Sequence, residues 1–364
     1  MVVNYNEVIE LMKIAIIIPS FCPDKIIVNL VSELINEDFV RICIVNDGSG
    51  TEYSDVFHEL GRMGAYVIEH DKNKGKGRAL KTALENLMRD IPDLSGVITA
   101  DGDGQHSVKD ILKVKKSMEE YSKSLILGTR DFSEDNVPFR SKVGNRFSSI
   151  YFKAVTDVNC LDTQTGLRGI PNVLFSMFLN TEGERYEYEM NFLISAARDD
   201  VSVRFESIET IYNDGNTSSH FKVISDSVRI YKTPLKYIAA SILCAVVDLS
   251  IFSILVSIGN FNVLFGITVS TIAARMISGV LNFFLNRLWS FNSRHHMRKQ
   301  AIRYGILFMS QMFLSGLMVS AFSMVHIPLV ILKIIVDSTL FIVSYFVQIN
   351  WVFRDDRKEK RVNI

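Results

Sequence analysis

Several familiar routes to function are missing from this chain of 364 residues. Lysine and arginine together number 40, as do aspartate and glutamate, so the formal net charge is zero. Without a basic excess there is no electrostatic case for a nucleic-acid partner. Cysteine is scarce, and Cys22, Cys43, Cys160 and Cys244 show neither paired nor metal-type spacing. They read as reduced thiols in a cytosol-facing protein, not as a disulfide framework. No secretory leader is evident: the apolar run at residues 14–18 is too short for one and Pro19 ends it. Met12-Lys13 is an alternative start, which would make residues 1–11 a dispensable extension. Gly-Lys-Ser/Thr is absent, which excludes a P-loop, and so is the Gly-x-Gly-x-x-Gly dinucleotide fingerprint.

What the chain does have is two unlike parts. The mean hydropathy of +0.18 averages a charged stretch up to about residue 235 and an apolar remainder. In the first part, short apolar runs at 14–18, 40–45, 65–69, 96–100 and 125–128 alternate with helical patterns at 25–36, 55–62, 77–89 and 108–121. That alternation predicts βαβ units and a mainly parallel sheet, and the continuous apolar run Ile14-Ala15-Ile16-Ile17-Ile18 predicts cover on both faces.

The unusual residues follow the strands. They are Pro19-Ser20-Phe21-Cys22-Pro23-Asp24, then Asn46-Asp47-Gly48-Ser49, then His70 to Gly77, and then Asp101-Gly102-Asp103-Gly104-Gln105-His106. In an open α/β sheet these loops share the carboxyl edge, where ligands bind. Asp101 and Asp103 offer two hard oxygen ligands, which suit Mg²⁺ or Mn²⁺ with a ligand's phosphates completing the shell. An EF-hand loop is excluded because its twelfth position, counted from Asp101, is Leu112 and not Glu. A plain solvated turn stays open. Asp47 is placed to accept hydrogen bonds from a base or ribose. Lys76 either reaches a phosphate or decorates its helix, and His106 either adjoins the metal or orders the loop.

As an ordered set these motifs resemble those of GT-A inverting glycosyltransferases, in particular the dolichol-phosphate mannose synthase-like (polyprenyl-phosphate) family. The resemblance covers roughly residues 12–230. It implies that Asp101, Asp103 and Gln105 hold the divalent metal. It also implies that Pro19, Phe21, Asp24, Asp47, Lys76, Asp101, Arg168 and His220 line the donor site, and that Asp103, Arg130 and Arg140 act in the reaction. Gly128-Thr129-Arg130 is similar to the family's Gly-Ser-Arg, Asp162 to Arg168 to its Asp-x-x-x-Gly-Phe-Arg/Lys, and Glu187-Tyr188-Glu189 to an acidic helix near the sugar pocket. For Arg130, Arg140 and Arg168, surface salt bridges are the plainer alternative. The chain departs from the family at Asn46, at Cys22-Pro23-Asp24, at Gly144 and over residues 213–221. A Gln-x-x-Arg-Trp motif is absent, which speaks against a processive synthase.

Four apolar segments at about 237–258, 263–284, 302–325 and 328–351 are each long enough to span a bilayer. Lys and Arg precede the first, separate the second from the third and follow the fourth, whereas residues 259–262 and 326–327 carry none. The positive-inside rule then predicts a multi-pass integral membrane protein with its catalytic part and both termini in the cytoplasm. Asp248, Arg275, Lys333 and Asp337 lie within the spans, either as an ionic clamp or as a polar track for a lipid headgroup. The segment resembles a GtrA-like domain at Asn282 to Trp289 and at Trp351-Val352-Phe353.

The expected organisation is an α/β GT-A domain at 1–220, an interfacial amphipathic linker at 221–236, an all-α four-helix membrane domain at 237–353 and a basic tail at 354–364. The implied partners are a nucleotide-sugar of the GDP-mannose or UDP-glucose type, a polyprenyl phosphate and the bilayer. A translocase with a loading domain is the alternative, and oligomeric state is left open.

Overall fold

The computed structural model describes residues 12–133, 137–211, 223–258, 263–293, 296–322 and 328–354, without the side chains of 140, 223–225, 263–268, 316, 329 and 330. Two compact units divide the chain between Ile230 and Tyr231.

The first unit is a seven-stranded sheet. Its strands are β1 (Ile14–Ser20), β2 (Arg41–Asn46), β3 (Tyr66–Glu69), β4 (Gly96–Thr99), β5 (Leu125–Thr129), β6 (Arg168–Pro171) and β7 (Val203–Ser207), in the order β3-β2-β1-β4-β6-β5-β7. All neighbours run parallel except β6, which is antiparallel to β4 and β5. The expected mainly parallel sheet is therefore present, with two strands that the apolar runs did not announce. β6 ends in Pro171 and is only four residues long. It brings residues 162–167 to the carboxyl edge, since Arg168 pairs with Thr99 at the tip of β4.

Helices α1 (Ile26–Leu34), α2 (Ser54–Arg62), α3 (Lys76–Asp90), α4 (Val108–Glu120), α5 (Phe139–Thr156), α6 (Phe175–Asn180), α7 (Glu187–Arg198) and α8 (Val223–Ile230) complete this unit. Side chains alternate across a strand. Ile14, Ile16 and Ile18 accordingly join a core with Ile27 and Leu60, while Ala15 and Ile17 join one with Leu84 and Phe192. Both faces are covered, so β1 can be apolar throughout.

The second unit holds α9 (Lys232–Ile258), α10 (Val263–Leu285), α11 (Met297–Ala321) and α12 (Leu329–Val347). A π-turn extends α10 over Asn286–Ser290, and another extends α12 over Gln348–Val352. All four helices are long and apolar enough to cross a membrane. The four charged residues singled out within the spans pair two and two: Arg275 of α10 lies 3.6 Å from Asp248 of α9, and Lys333 lies 2.9 Å from Asp337 one turn further along α12.

Candidate active site

The loops after β1, β2, β3 and β4 converge at the carboxyl edge and are tied to one another. Asn46 Oδ1 accepts from the Ser49 amide at 2.9 Å, and Ser49 Oγ accepts from the Cys22 amide at 2.8 Å. Gly48 has φ +73°, and a Cβ there would lie 2.2 Å from the backbone of Lys72, so only glycine lets the two loops cross.

Asp47 is 3% exposed, and both of its oxygens are engaged. Oδ1 meets His70 Nδ1 at 2.7 Å and the Lys74 amide at 2.8 Å, and Oδ2 meets the Gly75 amide at 2.8 Å. The carboxylate that was expected to take base or ribose hydroxyls thus clamps the loop that leads into α3. His70 carried no sequence signal for this part. It completes the clamp by reaching Thr82 Oγ1 with its other nitrogen at 3.1 Å.

That clamp sets the start of α3. Lys76 Nζ lies 2.7 Å from Asp101 Oδ1 and 3.0 Å from Glu189 Oε2, in the first turn of α7. Burial alone would push the Asp101 carboxyl up, but Lys76 and His106 outweigh it and hold the group well below the usual range. For Lys76 burial works the other way, and the two carboxylates again prevail, raising the ammonium above its ordinary value. Burial and the charge on Asp101 both raise the Asp103 carboxyl. Gly166 lies against the pair: a Cβ there would sit 2.2 Å from Asp101 Oδ2.

Arg130 reaches the same place from the end of β5. It pairs with the buried Asp162 through Nε at 2.7 Å and Nη2 at 3.2 Å, and its Nη1 reaches Gln105 Oε1 at 3.4 Å. Gln105 also donates its amide to Asp103 Oδ1 at 3.1 Å. Arg130, Gln105 and Asp103 therefore form one hydrogen-bonded group, and Asp101 lies close enough for its charge to act on Asp103.

Arg168 is 2% exposed and donates to the carbonyls of Thr163, Thr165 and Glu189 at 3.4, 2.9 and 2.8 Å. It braces the site from beneath, whereas the sequence led us to expect it on the donor-facing wall. Pro19 and Phe21 lie half-buried at the end of β1, and Asp24 is exposed, accepting from the Lys25 amide. Arg140 lies in the first turn of α5 with its side chain outside the described residues, and His220 lies outside them altogether.

The acid pair suits a hard divalent ion. Beside it His106 is 3% exposed with neither ring nitrogen hydrogen-bonded, and its Nε2 lies 3.6 Å from Asp101 Oδ2. A buried polar ring whose nearest approach to a charged atom is a loose 3.6 Å to Asp101 fits a site that is finished by a ligand. Among the described residues no three His, Cys, Asp or Glu could hold an ion unaided, so a ligand's oxygens would complete the shell.

Residues 15–201 match the profile of glycosyl transferase family 2. The chain belongs to that family. Residues 236–359 match the GtrA/DPMS transmembrane domain, so this family 2 glycosyltransferase carries a membrane domain. It is similar to a UDP-N-acetylglucosamine–dolichyl-phosphate N-acetylglucosaminyltransferase of Methanococcus voltae, at 30% identity over 55% of this chain and 86% of that protein. An uncharacterised protein of Methanocaldococcus jannaschii is 27% identical over 60% of this chain and 90% of its own length. Among solved structures, the glucosyl-3-phosphoglycerate synthase of Mycobacterium tuberculosis with Mn²⁺, UDP-glucose and phosphoglyceric acid aligns at 14% identity. That alignment covers 62% of this chain and 78% of that one, with a TM-score of 0.47.

Proposed function

We propose that this glycosyltransferase moves a sugar from a nucleoside-diphosphate donor to a polyprenyl phosphate, with inversion, at the cytoplasmic face of a membrane. One observation carries the reading. Asp101, Asp103, Gln105 and Arg130 meet at the sheet's carboxyl edge, in a chain that also has four membrane-length helices. The Methanococcus voltae relative, whose name pairs UDP-N-acetylglucosamine with dolichyl phosphate, supports the class of donor and acceptor. It widens the donor from a simple hexose to an N-acetylhexosamine.

The chemistry follows from the charges. As the sugar leaves, negative charge builds on the departing diphosphate. Arg130, held in place by the buried Asp162, presents a fixed guanidinium there. A divalent ion held by Asp101, Asp103 and Gln105 would supply further positive charge to that leaving group. Asp47 and His70 keep the loop into α3 in register, so the donor's phosphates meet a prebuilt wall. The acceptor phosphate is anionic at pH 7 and needs positioning more than deprotonation. Arg140, near the start of α5, is proposed for that task. Basic residues such as Lys232, Arg287, Arg303 and Arg354 flank the spans, and they support cytoplasmic placement of the catalytic unit and both termini.

The test is a panel of radiolabelled nucleotide-sugars with polyprenyl phosphate and Mn²⁺. Lipid-extractable label that is lost in Asp103→Ala is the expected result. Failure of every donor to label lipid overturns the proposal.

A further inference from the structure

On the transferase reading, Lys76 is the charged neighbour of the acid pair. Its ammonium sits between two carboxylates drawn from distant parts of the chain, Asp101 on one side and Glu189 on the other. Its side chain is 13% exposed, so little water screens the contacts. Asp101 is one of the two acids that suit a divalent ion, and a second positive charge on the same oxygen is repelled strongly in a part-buried place. Glu189 Oε1 is buried without a hydrogen-bond partner, which leaves that acid able to take a further donor once the lysine moves.

We propose that Lys76 is the resident counter-cation of the acid pair, yielding its place only when a divalent ion and a nucleoside diphosphate arrive together. The diphosphate gives the displaced ammonium a new anionic partner, and the ion takes over the Asp101 oxygen. Binding of ion and nucleotide is thereby coupled, and an ion without nucleotide is held weakly. Lys76 is on this account a positioning residue that acts through Asp101.

Calorimetry on the full-length protein in detergent tests this, with Mn²⁺ titrated alone and in the presence of UDP or GDP. In the unmodified protein the nucleotide tightens Mn²⁺ binding. In Lys76→Met, Mn²⁺ alone binds more tightly, by about tenfold, because one competing charge is gone, and the nucleotide's effect shrinks. Lys76→Arg keeps the original pattern. Should Lys76→Met fail to fold, Lys76→Gln removes the charge while keeping a donor. Unchanged or weaker Mn²⁺ binding in the uncharged variants overturns the inference, since mere damage to the site would only weaken it. Turnover that persists unchanged in EDTA overturns the metal assignment while leaving the transferase intact.

The membrane unit carries an internal repeat of short motifs, independent of the crevice. The start of α9 and the start of α11 both read cation-tyrosine, as Lys236-Tyr237 and Arg303-Tyr304. The ends of α10 and α12 both read amide, then tryptophan three residues on, then phenylalanine two further: Asn286, Trp289, Phe291 and Gln348, Trp351, Phe353. The structure matches these pairs contact for contact. Lys236 donates to the Trp289 carbonyl at 3.0 Å with its ammonium 5.8 Å from the indole, and Arg303 donates to the Trp351 carbonyl at 2.8 Å, 5.7 Å from that ring. Each π-turn is followed by the same bond, Phe291 amide to Asn286 carbonyl and Phe353 amide to Gln348 carbonyl, both at 2.8 Å.

Contacts between the halves obey the same exchange. Tyr237 packs on Tyr345 at 5.2 Å as Tyr304 packs on Phe283 at 5.4 Å, and Phe283–Phe353 and Phe291–Tyr345 are both 6.0 Å apart. Two contacts map onto themselves: the Asn286 Nδ2 to Gln348 Oε1 bond at 3.0 Å and the Phe291–Phe353 stack at 5.0 Å. Such pairs mark the position of a twofold axis.

We infer that the membrane unit is a duplicated helical hairpin, α9–α10 and α11–α12, closed about a pseudo-twofold axis along the bilayer normal. Each half has two spans, so both stand the same way up and anchor at one face. Deeper in, the copies have diverged. Asp248 occupies the place of Ser315, and Arg275 that of Asp337, so the polar layer persists while its charges are redistributed.

Two measurements on the full-length protein test the repeat. Leu288→Cys and Asn350→Cys occupy equivalent positions, and an impermeant maleimide should label both from the same side of oriented vesicles. Exchanging the axis pair, Asn286→Gln with Gln348→Asn, should restore most of the thermal midpoint that either single change loses. Labelling from opposite sides, or a double variant as unstable as the two losses combined, overturns the inference. Where a single change prevents insertion, the labelling result decides.

Discussion

The two units treat buried polar atoms in opposite ways. Among the described residues, the buried side-chain nitrogen and oxygen atoms without a hydrogen-bond partner all lie in the sheet unit, on His106, Ser117, Asn145, Glu187 and Glu189. The membrane unit contributes none, although Asn286, Ser290, Ser344 and Gln348 are buried there. Asn286 meets Asn282 and Gln348, and Gln348 meets Tyr237 and Ser344. The physical reason is the solvent. Hydrocarbon offers no water to an orphaned amide, so the bundle has to answer each one internally. A crevice at a sheet edge is finished by whatever binds there, and His106 and Glu189, two of the unanswered groups, sit around Asp101. The unanswered atoms around Asp101 thus point to ligand chemistry in one unit, and the answered ones point to assembly in the other.

The largest expected effect falls on the crevice's own clamp. Asp47→Ala removes one buried carboxylate that holds His70 and two loop amides. Breaking such a network costs about 3–5 kcal/mol, read as a fall in the denaturation midpoint of the sheet unit together with loss of donor binding. A drop in activity without loss of stability would show that Asp47 faces the ligand after all. Next comes Arg130→Lys. The lysine keeps the charge but cannot reproduce the two-pronged pairing with Asp162. Turnover should fall by about a hundredfold, typical for removing one fixed donor from a leaving group, with little change in KM for the donor.

Much of this contrast was legible in the sequence. The strand–helix alternation and the acid pair at the tip of β4 followed from apolar runs and from the residues that end them, and the four spans followed from length alone. β6 was not legible: Arg168-Gly169-Ile170-Pro171 is short, and its place between β4 and β5 is set by antiparallel pairing that no local pattern encodes. For the same reason Arg168 read as a wall residue, since nothing local says that the chain turns it inward. Asp47 read as a ligand-facing carboxylate because its partners His70, Lys74 and Gly75 are fixed only when β2 and β3 lie side by side. The link from Lys76 to Glu189 depends on α7 returning beside α3. The hairpin repeat hides because few identities survive, and its strength lies in matched contacts.

In the bundle, Gln348→Leu should cost about 1–3 kcal/mol, the range for stranding buried polar partners. Asn286, Tyr237 and Ser344 each lose a bond. The readout is the detergent-resistant thermal midpoint, and transferase turnover per folded molecule should change little. An unchanged midpoint would mean that the bundle tolerates orphans as the crevice does, and the contrast between the units would fail.

The smallest effect is the most discriminating. His106 is as deeply buried as Gln348, so a rule based on burial alone would make the two substitutions equally harmful. The hydrogen-bond record separates them: neither nitrogen of His106 has a hydrogen-bond partner, and its nearest charged atom is Asp101 Oδ2 at 3.6 Å. His106→Phe keeps a flat buried ring and removes the 3.6 Å contact with Asp101 Oδ2, a carboxylate that Lys76 still holds at 2.7 Å. His106→Phe should therefore leave the thermal midpoint within about 2 °C of the original, less than 1 kcal/mol for a unit of this size. The same substitution removes a polar group from the edge of the acid pair, so Mn²⁺ binding in the presence of nucleoside diphosphate should weaken. A marked fall in stability with unchanged Mn²⁺ binding would make His106 a packing residue and would detach the unanswered atoms of the crevice from its chemistry.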